Sequence, residues 1–501
     1  MSTDLVTRGR NHIHSVFARG KPIYIHTACS GICGFLAAMK PLYKIMTRKL
    51  EVDVHGTFNI NKFIVQEAAC DVDRKCQQWM SLDPSKGYVE IFPNMADLLK
   101  KTAENVEGKS VFVPSGEGRV LIVSTSCQDE SCINNGRKLN KDSIVAALER
   151  VDQTNKATMR ASFDSLNEKE MRTTGNTTAQ ACVLVVVEEY EGMILENTEK
   201  AFSSRSRNFG KVLEFFHPFG YIVAKVEMDA EVCSLPVHRR RVFVHVTKFY
   251  GKDSDLLLGE IAYFTRVQKM TEYLKIPAGS PTEFFDDVEA NMPLKKLTMP
   301  ALKKQRCDAG NKEGADRKWI RAVKAIDDQW EMRPCPMEQS IDELNVDPHF
   351  WRTGVHAQAI IDVEDKLKPW SDSLGEVFTD VDLGIGRSVW HTNRSPTVVC
   401  GSRIFRRKTR CIYMGATLFL LQGWDLDAMP WHDRFDLTTL GHMAGNAVAA
   451  TMYQTAWLVH VLCEPQLGEK YGVEAHDTEA QSSANTDNAG GLDAEEVEVS
   501  E

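Results

Sequence analysis

The sequence lacks several features that would assign it at once to a broad class of protein. It has no run of about 18 apolar residues, so we expect no membrane-spanning helix. Residues 1–21 are basic and polar without an apolar stretch, which predicts no secretory signal. None of its 13 cysteines forms a Cys-x-x-Cys pair, which argues against a structural zinc site. We therefore expect reduced thiols, no membrane association and no metal.

Charge is unevenly distributed along the 501 residues. The formal net charge is −9, yet residues 476–501 contain eight Asp and Glu and neither Lys nor Arg. The rest of the chain is therefore close to neutral. A strongly acidic segment of low hydrophobicity cannot build a core, so we expect residues 466–501 to be a disordered tail, most simply a solubilising one.

Apolar patterns of two periodicities alternate over the first half of the chain. Short β-rich runs are predicted as strands at 21–28, 63–70, 111–113, 119–123, 193–195, 221–225 and 242–246. Helical patterns fall at 35–46, 179–190, 210–216, 417–422 and 437–462. This alternation predicts a mainly parallel, doubly wound α/β sheet, in which ligands bind at the carboxyl ends of the strands.

Two basic clusters lie beyond residue 250, where the alternation weakens. One holds ten Lys and Arg between residues 295 and 324, a density that suits phosphate contacts. The other is SRIFRRKTR, residues 402–410. A solvated charged surface is the simpler interpretation of either cluster.

Four short motifs stand at predicted strand ends, and each has an ordinary explanation on its own. CSGICG (29–34) is a small-residue turn, and STSCQDES (124–131) carries one cysteine that could simply pack. ILENT (194–198) carries a glutamate that could be solvated, and LPVHRRRVFV (235–244) could be a basic sheet edge.

Taken together and in this order, the motifs resemble those of the cytosine-5 DNA methyltransferase family. LQGW (421–424) and GNAV (445–448) resemble its later motifs, so the resemblance spans roughly residues 21–465. It implies a class I fold that binds S-adenosylmethionine (SAM), a Rossmann-like doubly wound sheet, with a smaller inserted target-recognition domain. The implied division is an N-terminal arm (1–20), a catalytic domain (21–250 and 415–465), the target-recognition domain (251–414) and the tail (466–501).

The resemblance implies four catalytic residues. Cys127 would be the thiolate that adds to C6 of cytosine, because C5 alone is a poor nucleophile. Glu196 would hydrogen-bond N3 and the amino group of the base. Arg239 and Arg241 would supply positive charge and hold the base. The base would have to be flipped out of duplex DNA, the implied partner.

The cofactor implied by the resemblance is SAM. Its methionine part would lie on the small-residue turn and its ribose on Asp71, with Val72 also binding the cofactor. Asp97 would meet the adenine amino group, with Leu98 beneath the ring. Asn446, folding back from the C-terminal region, would complete the pocket. The turn residues implied are Cys29, Ser30, Gly31 and Gly34. Because 37 residues separate Gly34 from Asp71, either 44–62 is an insertion or another residue binds the ribose.

Several positions depart from the family pattern and leave other functions open. Ser126 stands in place of a proline and Glu130 in place of an aromatic residue. Val237 stands in place of a glutamine, and Cys33 and Thr27 alter the turn at the predicted SAM site. The alternatives are a catalytically impaired DNA- or SAM-binding protein and a tRNA cytosine-5 methyltransferase. A DNA substrate would imply a nuclear protein, and the absence of a coiled-coil pattern predicts a monomer.

Overall fold

The computed structural model describes most of the predicted strands and helices. The described residues are 7–12, 22–28, 34–49, 59–82, 89–125, 142–166, 174–291, 376–380, 391–406, 408–409, 411–427, 429, 432 and 434–463. The cysteine of STSCQDES, most of the CSGICG turn, the ten cations at 295–324 and the acidic tail lie outside these ranges.

A seven-stranded sheet forms the centre of the molecule. Its strands, in chain order, are β1 (Ile23–Ala28), β2 (Ile64–Cys70), β3 (Glu90–Phe92), β6 (Arg119–Ser124), β7 (Gly192–Thr198), β8 (Tyr221–Asp229) and β9 (Arg240–Lys248). Their spatial order is β3-β2-β1-β6-β7-β9-β8. Of these seven strands, β9 alone runs in the opposite direction, so it is antiparallel to both β7 and β8. This is the Rossmann-like arrangement of class I SAM-dependent methyltransferases, which confirms the predicted fold class.

The sheet is buried on both faces, which explains why its strands are almost continuously apolar. In β6, Val120 and Ile122 belong to one hydrophobic cluster, whereas Leu121 and Val123 belong to the cluster on the opposite face. Such a strand cannot show the polar–apolar alternation of a half-exposed one. Its short run of branched residues between turn signals was the feature that predicted it.

Helices cover both faces of the sheet. They are α1 (7–12), α2 (Phe35–Lys49), α3 (Arg74–Leu82), α4 (Ser143–Leu148), α5 (Lys156–Leu166), α6 (Thr174–Val187), α7 (Asn208–Phe216), α8 (Leu256–Leu274), α9 (Pro281–Ala290), α10 (Thr417–Leu421), α11 (Leu437–Asn446) and α12 (Ala450–Cys463). The C-terminal helix α12 returns to the N-terminal part of the chain, where Trp457 donates to the Tyr43 hydroxyl at 3.0 Å. No helix in the described ranges is long and apolar enough to cross a membrane.

A second, four-stranded antiparallel sheet lies within the predicted target-recognition domain. It comprises β10 (Val377–Asp380), β11 (His391–Thr392), β12 (Ile404–Arg406) and β13 (Cys411–Tyr413), in the order β11-β10-β12-β13. Arg406 from the basic cluster 402–410 is fully buried here. It contacts Glu376 at 2.8 Å and Asp286 of α9 at 2.7 Å. This cation therefore joins α9 to the small sheet and is not exposed to solvent.

Two elements differ from the sequence-based predictions. Residues 437–462 form two helices rather than one, because the chain becomes extended at Ala447 and α12 begins only at Ala450. Gly445 lies at the break, where an added Cβ would come within 2.1 Å of the backbone nitrogen of Cys400. The predicted strand at 111–113 is part of a separate hairpin of β4 (Thr102–Glu104) and β5 (Ser110–Phe112), outside the main sheet.

Two fully buried histidines predict acid sensitivity. His245 of β9 and His460 of α12 stack with ring centroids 5.8 Å apart, and neither ring has a hydrogen-bond partner in the described part of the chain. Burial lowers the pKa of His460 to about 4 and the pKa of His245 well below its ordinary value. Because protonation then favours the unfolded chain, stability is complete above about pH 6.5 and falls between pH 6.5 and about 4.

We expect this loss to be as steep as about 1.4 kcal/mol per pH unit for each histidine. Urea midpoints measured across this pH range for the wild type and for His460→Phe would test it. The variant should lose less stability on acidification than the wild type. Equal pH slopes in the two proteins would contradict the prediction.

Candidate functional site

The predicted site residues follow strands that end side by side. Cys70 of β2 pairs with Ala28 of β1, Ala28 with Val123 of β6, and Val123 with Leu195 of β7. Neighbouring strands lie about 4.8 Å apart, so this row is about 14 Å long. The chain order reverses between β1 and β6, which is where ligands bind in open α/β sheets. Asp71, the CSGICG turn, STSCQDES and Glu196 all begin within three residues of this row.

Glu196 and Arg241 meet at one end of this row. β7 and β9 are antiparallel, and their register places Thr198 opposite Arg241. The Arg241 Nε lies 2.8 Å from Glu196 Oε1 in an ion pair, and the two side chains are only 13% and 8% exposed. A largely buried carboxylate held by a guanidinium has a fixed orientation, which a group that binds a base edge requires.

The strand end that leads towards Cys127 is fixed by three side-chain contacts. Asn197 Nδ2 donates to Thr125 Oγ1 at 2.7 Å, Thr178 Oγ1 lies 3.4 Å from Thr125 Oγ1, and Ser124 Oγ lies 2.6 Å from the Tyr453 hydroxyl. These contacts join β6 to β7, α6 and α12. Cys127 itself lies two residues beyond Thr125, outside the described residues. Its role as nucleophile therefore stays a prediction.

Arg239 occupies a different environment from Arg241. It is 2% exposed, and its guanidinium donates to the carbonyls of Val398 at 2.7 Å, of Gly445 at 3.5 Å and of Ala447. It thereby joins the middle of the VHRRR segment (237–241) to residues 398, 445 and 447. In this structure Arg239 supports the chain on both sides of Asn446, while Arg241 contacts Glu196.

Asp229 is a partly buried anchor that the sequence did not reveal. It accepts hydrogen bonds from the backbone nitrogen of Arg239 at 3.0 Å and from Arg240 Nε at 3.2 Å, and it contacts His238 Nδ1 at 3.2 Å. Burial alone would raise the pKa of Asp229, but His238 and the Arg239 N–H outweigh it and lower that pKa to about 2. The charged carboxylate orients residues 238–240, which precede Arg241.

Asn446 is linked to the end of β2 through polar side chains. Its Oδ1 accepts from Cys400 Sγ at 3.0 Å, and its Nδ2 lies 3.2 Å from His442 Nε2. That His442 nitrogen is 3.7 Å from Asp73 Oδ2, two residues after Asp71. The structure therefore brings the predicted ribose-binding and C-terminal parts of the pocket to one side of the sheet.

The remaining predicted cofactor residues differ in accessibility. Asp71 directly follows β2 and is 7% exposed, whereas Val72 beside it is 53% exposed. Asp97 caps a helical turn, accepting from the Asn94 nitrogen at 3.3 Å and from Lys100 Nζ at 2.6 Å, and Leu98 is 2% exposed in the core. Gly34 is buried at the start of α2. Cys29, Ser30 and Gly31 lie outside the described residues.

Within the described ranges, no group of three or more His, Cys, Asp or Glu side chains could hold a metal ion.

The chain resembles known proteins in structure but not detectably in sequence. No protein-family model and no curated protein matches the chain. Among solved structures, a Dnmt2 methyltransferase from S. pombe matches 90% of this chain and 99% of its own, at 10% identity and a TM-score of 0.38. The methyltransferase EhMeth of Entamoeba histolytica matches 88% of this chain and 98% of its own, at 9% identity and a TM-score of 0.37.

A third match, a prophage-encoded DNA modification methyltransferase described as putative, from E. coli, is less complete. The match covers 45% of this chain and 47% of that one, at 13% identity and a TM-score of 0.25. This chain thus spans about half the length of that protein. At such scores the function has to be argued from the residues themselves.

Proposed function

We propose that this protein methylates C5 of cytosine in DNA, using SAM as methyl donor and Cys127 as a covalent nucleophile. The observation that supports it most directly is the buried Glu196–Arg241 pair beside the strand end that precedes Cys127. The cysteine motif and the glutamate motif are about 70 residues apart in the sequence. The register of β6 and β7 places Ser124 opposite Glu196, so the strand end that precedes Cys127 lies beside Glu196.

The described residues fit SAM. Asp71 offers a carboxylate to the ribose hydroxyls at the end of β2, and the exposed Val72 offers an apolar surface to the adenine ring. Asp97, whose oxygens also accept from the Asn94 nitrogen and from Lys100 Nζ, would accept from the adenine amino group. Asn446, held by Cys400 and His442, would bound the pocket from the C-terminal side. When bound, SAM supplies an electrophilic methyl group.

The proposed chemistry depends on electron flow within the cytosine ring. Addition of the Cys127 thiolate to C6 forms an S–C6 bond and moves the C5–C6 π electrons to C5, which becomes nucleophilic. After methylation, C5 loses its proton to a base and the S–C6 bond breaks, which restores the thiolate and the ring. The target base must leave the duplex stack for this to occur.

Glu196 would stabilise the ring during the addition. Arg241 occupies Oε1 of its carboxylate, and we assign Oε2 to the N3 edge of cytosine. A proton on Oε2 would pass to N3 as the thiolate adds to C6, which neutralises the negative charge that the ring would otherwise hold, and N3 would return this proton when the S–C6 bond breaks. Arg241 would orient the carboxylate and contribute positive charge beside the base.

Covalent trapping tests this proposal. We expect the protein, incubated with SAM and duplex DNA containing 5-fluorocytosine, to form a complex that survives denaturation, because fluorine cannot leave C5 as a cation. Cys127→Ser should abolish the complex. Cys132→Ser, five residues away in the same sequence stretch, should retain it.

The other outcomes distinguish the alternative functions. Complexes with fluorinated tRNA but not with DNA would assign the site to RNA. Absence of an adduct despite measurable binding of SAM and DNA would indicate a binding protein without catalysis. Activity on DNA would be consistent with a nuclear location.

A further inference from the structure

Helix α2 carries a row of three exposed cations, Lys40, Lys44 and Arg48. They follow one another at intervals of four residues, so they lie along one side of the helix, within about 80° of arc and about 12 Å of length. α2 contains neither Asp nor Glu, and in the described part of the chain no carboxylate forms an ion pair with these three side chains. We call these three residues the basic row.

The helix itself accounts for only part of the basic row. Arg48 lies in the last turn, where the helix dipole favours positive charge. Lys40 and Lys44 lie nearer the middle of the helix, and like charges spaced four residues apart repel each other. The buried side of α2, which includes Met39 and Tyr43, packs into the hydrophobic core without help from the row. An anionic partner on the exposed side would therefore relieve a repulsion that α2 does not relieve itself.

The basic row leads away from the proposed catalytic site. α2 begins at Phe35, beside the carboxyl end of β1, where the SAM turn is predicted. By its middle it has reached the opposite edge of the sheet, because Tyr43 packs with a ring-centroid distance of 5.2 Å on Phe63, which directly precedes β2. Lys44 and Arg48 lie at or beyond this point. DNA bound at the proposed site therefore does not account for the far end of the row.

The described part of the chain ends beside the same helix. α12, which ends at Cys463, packs against α2: Gln454 Nε2 donates to the Ala38 carbonyl at 2.8 Å, and Trp457 Nε1 donates to the Tyr43 hydroxyl at 3.0 Å. These contacts advance along both helices in the same direction, so α12 ends towards the C-terminal end of α2. Residues beyond 463 therefore begin within reach of the basic row.

The sequence that follows α12 has the complementary charge. Residues 476–501 contain eight Asp and Glu without Lys or Arg, and five of the eight fall within residues 493–501. Thirty residues separate Cys463 from Asp493. A chain of that length spans about 30 Å as a random coil and up to about 100 Å when extended. Because it belongs to the same chain, the acidic stretch has an effective concentration on the order of 1 mM at the row.

We propose that residues 493–501 bind the basic row of α2 in the same chain. The carboxylates would face Lys40, Lys44 and Arg48 in solvent-exposed ion pairs, so the contact is weak, reversible and sensitive to salt. Its effect is to keep the row from binding other polyanions. The contact does not depend on the proposed methyltransferase activity.

Zero-length cross-linking of the full chain with a carbodiimide tests the contact, because it joins a carboxylate to an amine only where the two groups touch. Residues 471–501 contain no Lys or Arg, so trypsin releases them as one peptide. In monomeric protein at low salt we expect this peptide to be joined to Lys40 or Lys44, and the link to be lost in about 0.5 M salt.

Lys269 provides the control within the same molecule. It is exposed on α8, which also packs against α12, so it has similar access to the residues beyond 463. It stands alone, however, and is not part of a row of cations. Absence of links to Lys40 and Lys44, or links to Lys269 that are equally frequent, would overturn the proposal.

Binding of a duplex made only of A·T pairs measures the shielding, because such DNA offers no cytosine to the proposed site. Replacing the five acids of 493–501 by their amides should tighten binding roughly tenfold at low salt, since three cations become available to phosphates. Adding Lys40→Gln, Lys44→Gln and Arg48→Gln should remove this gain. If the gain is equally large without the row, the acidic stretch acts through net charge alone and the proposal is wrong.

Discussion

Replacing Glu196 with glutamine is expected to slow methyl transfer by about 10²–10⁴-fold under single-turnover conditions. Glutamine preserves the shape of the side chain, but it cannot carry the charge that Arg241 Nε contacts at 2.8 Å. It also cannot deliver a proton to N3 when Cys127 adds to C6. Transfer of a radiolabelled methyl group to duplex DNA, with enzyme in excess, measures the chemical step directly.

A second glutamate close by provides the control. Glu199 lies three residues further along, is 44% exposed and approaches Arg240 only at 3.9 Å. Glu199→Gln should retain nearly full activity, because such an exposed ion pair contributes little. If Glu196→Gln were as active as Glu199→Gln, Glu196 would have no role in the reaction. If Glu196→Gln lost affinity for SAM as well, the residue would act through the structure of the site.

Replacing Arg406 with methionine is expected to destabilise the small sheet by about 3–5 kcal/mol. The guanidinium is fully buried and contacts Glu376 at 2.8 Å, Asp286 at 2.7 Å and Glu289 at 3.1 Å. Burial alone would raise the pKa of Glu376, but the hydrogen bonds from Arg406 outweigh it and lower that pKa. Methionine would leave a buried carboxylate with no buried cation. Urea denaturation and limited proteolysis would report the loss.

Lys408→Met separates burial from charge in this network. Lys408 contacts two of the same carboxylates, Asp286 at 3.4 Å and Glu376 at 3.5 Å, but it is 49% exposed. Its removal should cost no more than about 1 kcal/mol. If both variants lost the same free energy of unfolding, the burial of Arg406 would contribute nothing beyond its charge.

The central sheet was predictable because its strands are short apolar runs between turns, a pattern that needs no knowledge of distant contacts. The break between α11 and α12 was not predictable in this way. The apolar pattern continues through 437–462, and the break depends on the 399–400 backbone packing on Gly445 and on Arg239 binding the carbonyls of residues 445 and 447. Both contacts join residues far apart in sequence.

The candidate site was likewise predictable only in part: the sequence indicated which residues belong to it but not how they are arranged. Glu196, Arg239 and Arg241 could be selected from their motifs, but their different environments could not. The contact of Glu196 with Arg241 follows from the antiparallel register of β7 and β9. The burial of Arg239 depends on where residue 398 returns to the sheet. Asp229 carried no sequence signal at all, because one carboxylate at the end of a strand matches no motif.

The bonds of Arg239 also have a consequence for synthesis of the chain on the ribosome. Its carbonyl partners belong to residues 398, 445 and 447, and α12, which follows them, donates to Tyr43 through Trp457. When a nascent chain has emerged only as far as β9, Arg239 is already present, but the carbonyl groups that accept its hydrogen bonds are not. The central sheet can therefore reach its final packing only after residues 398–447 have also emerged, so its strands are synthesised well before the contacts that complete their packing.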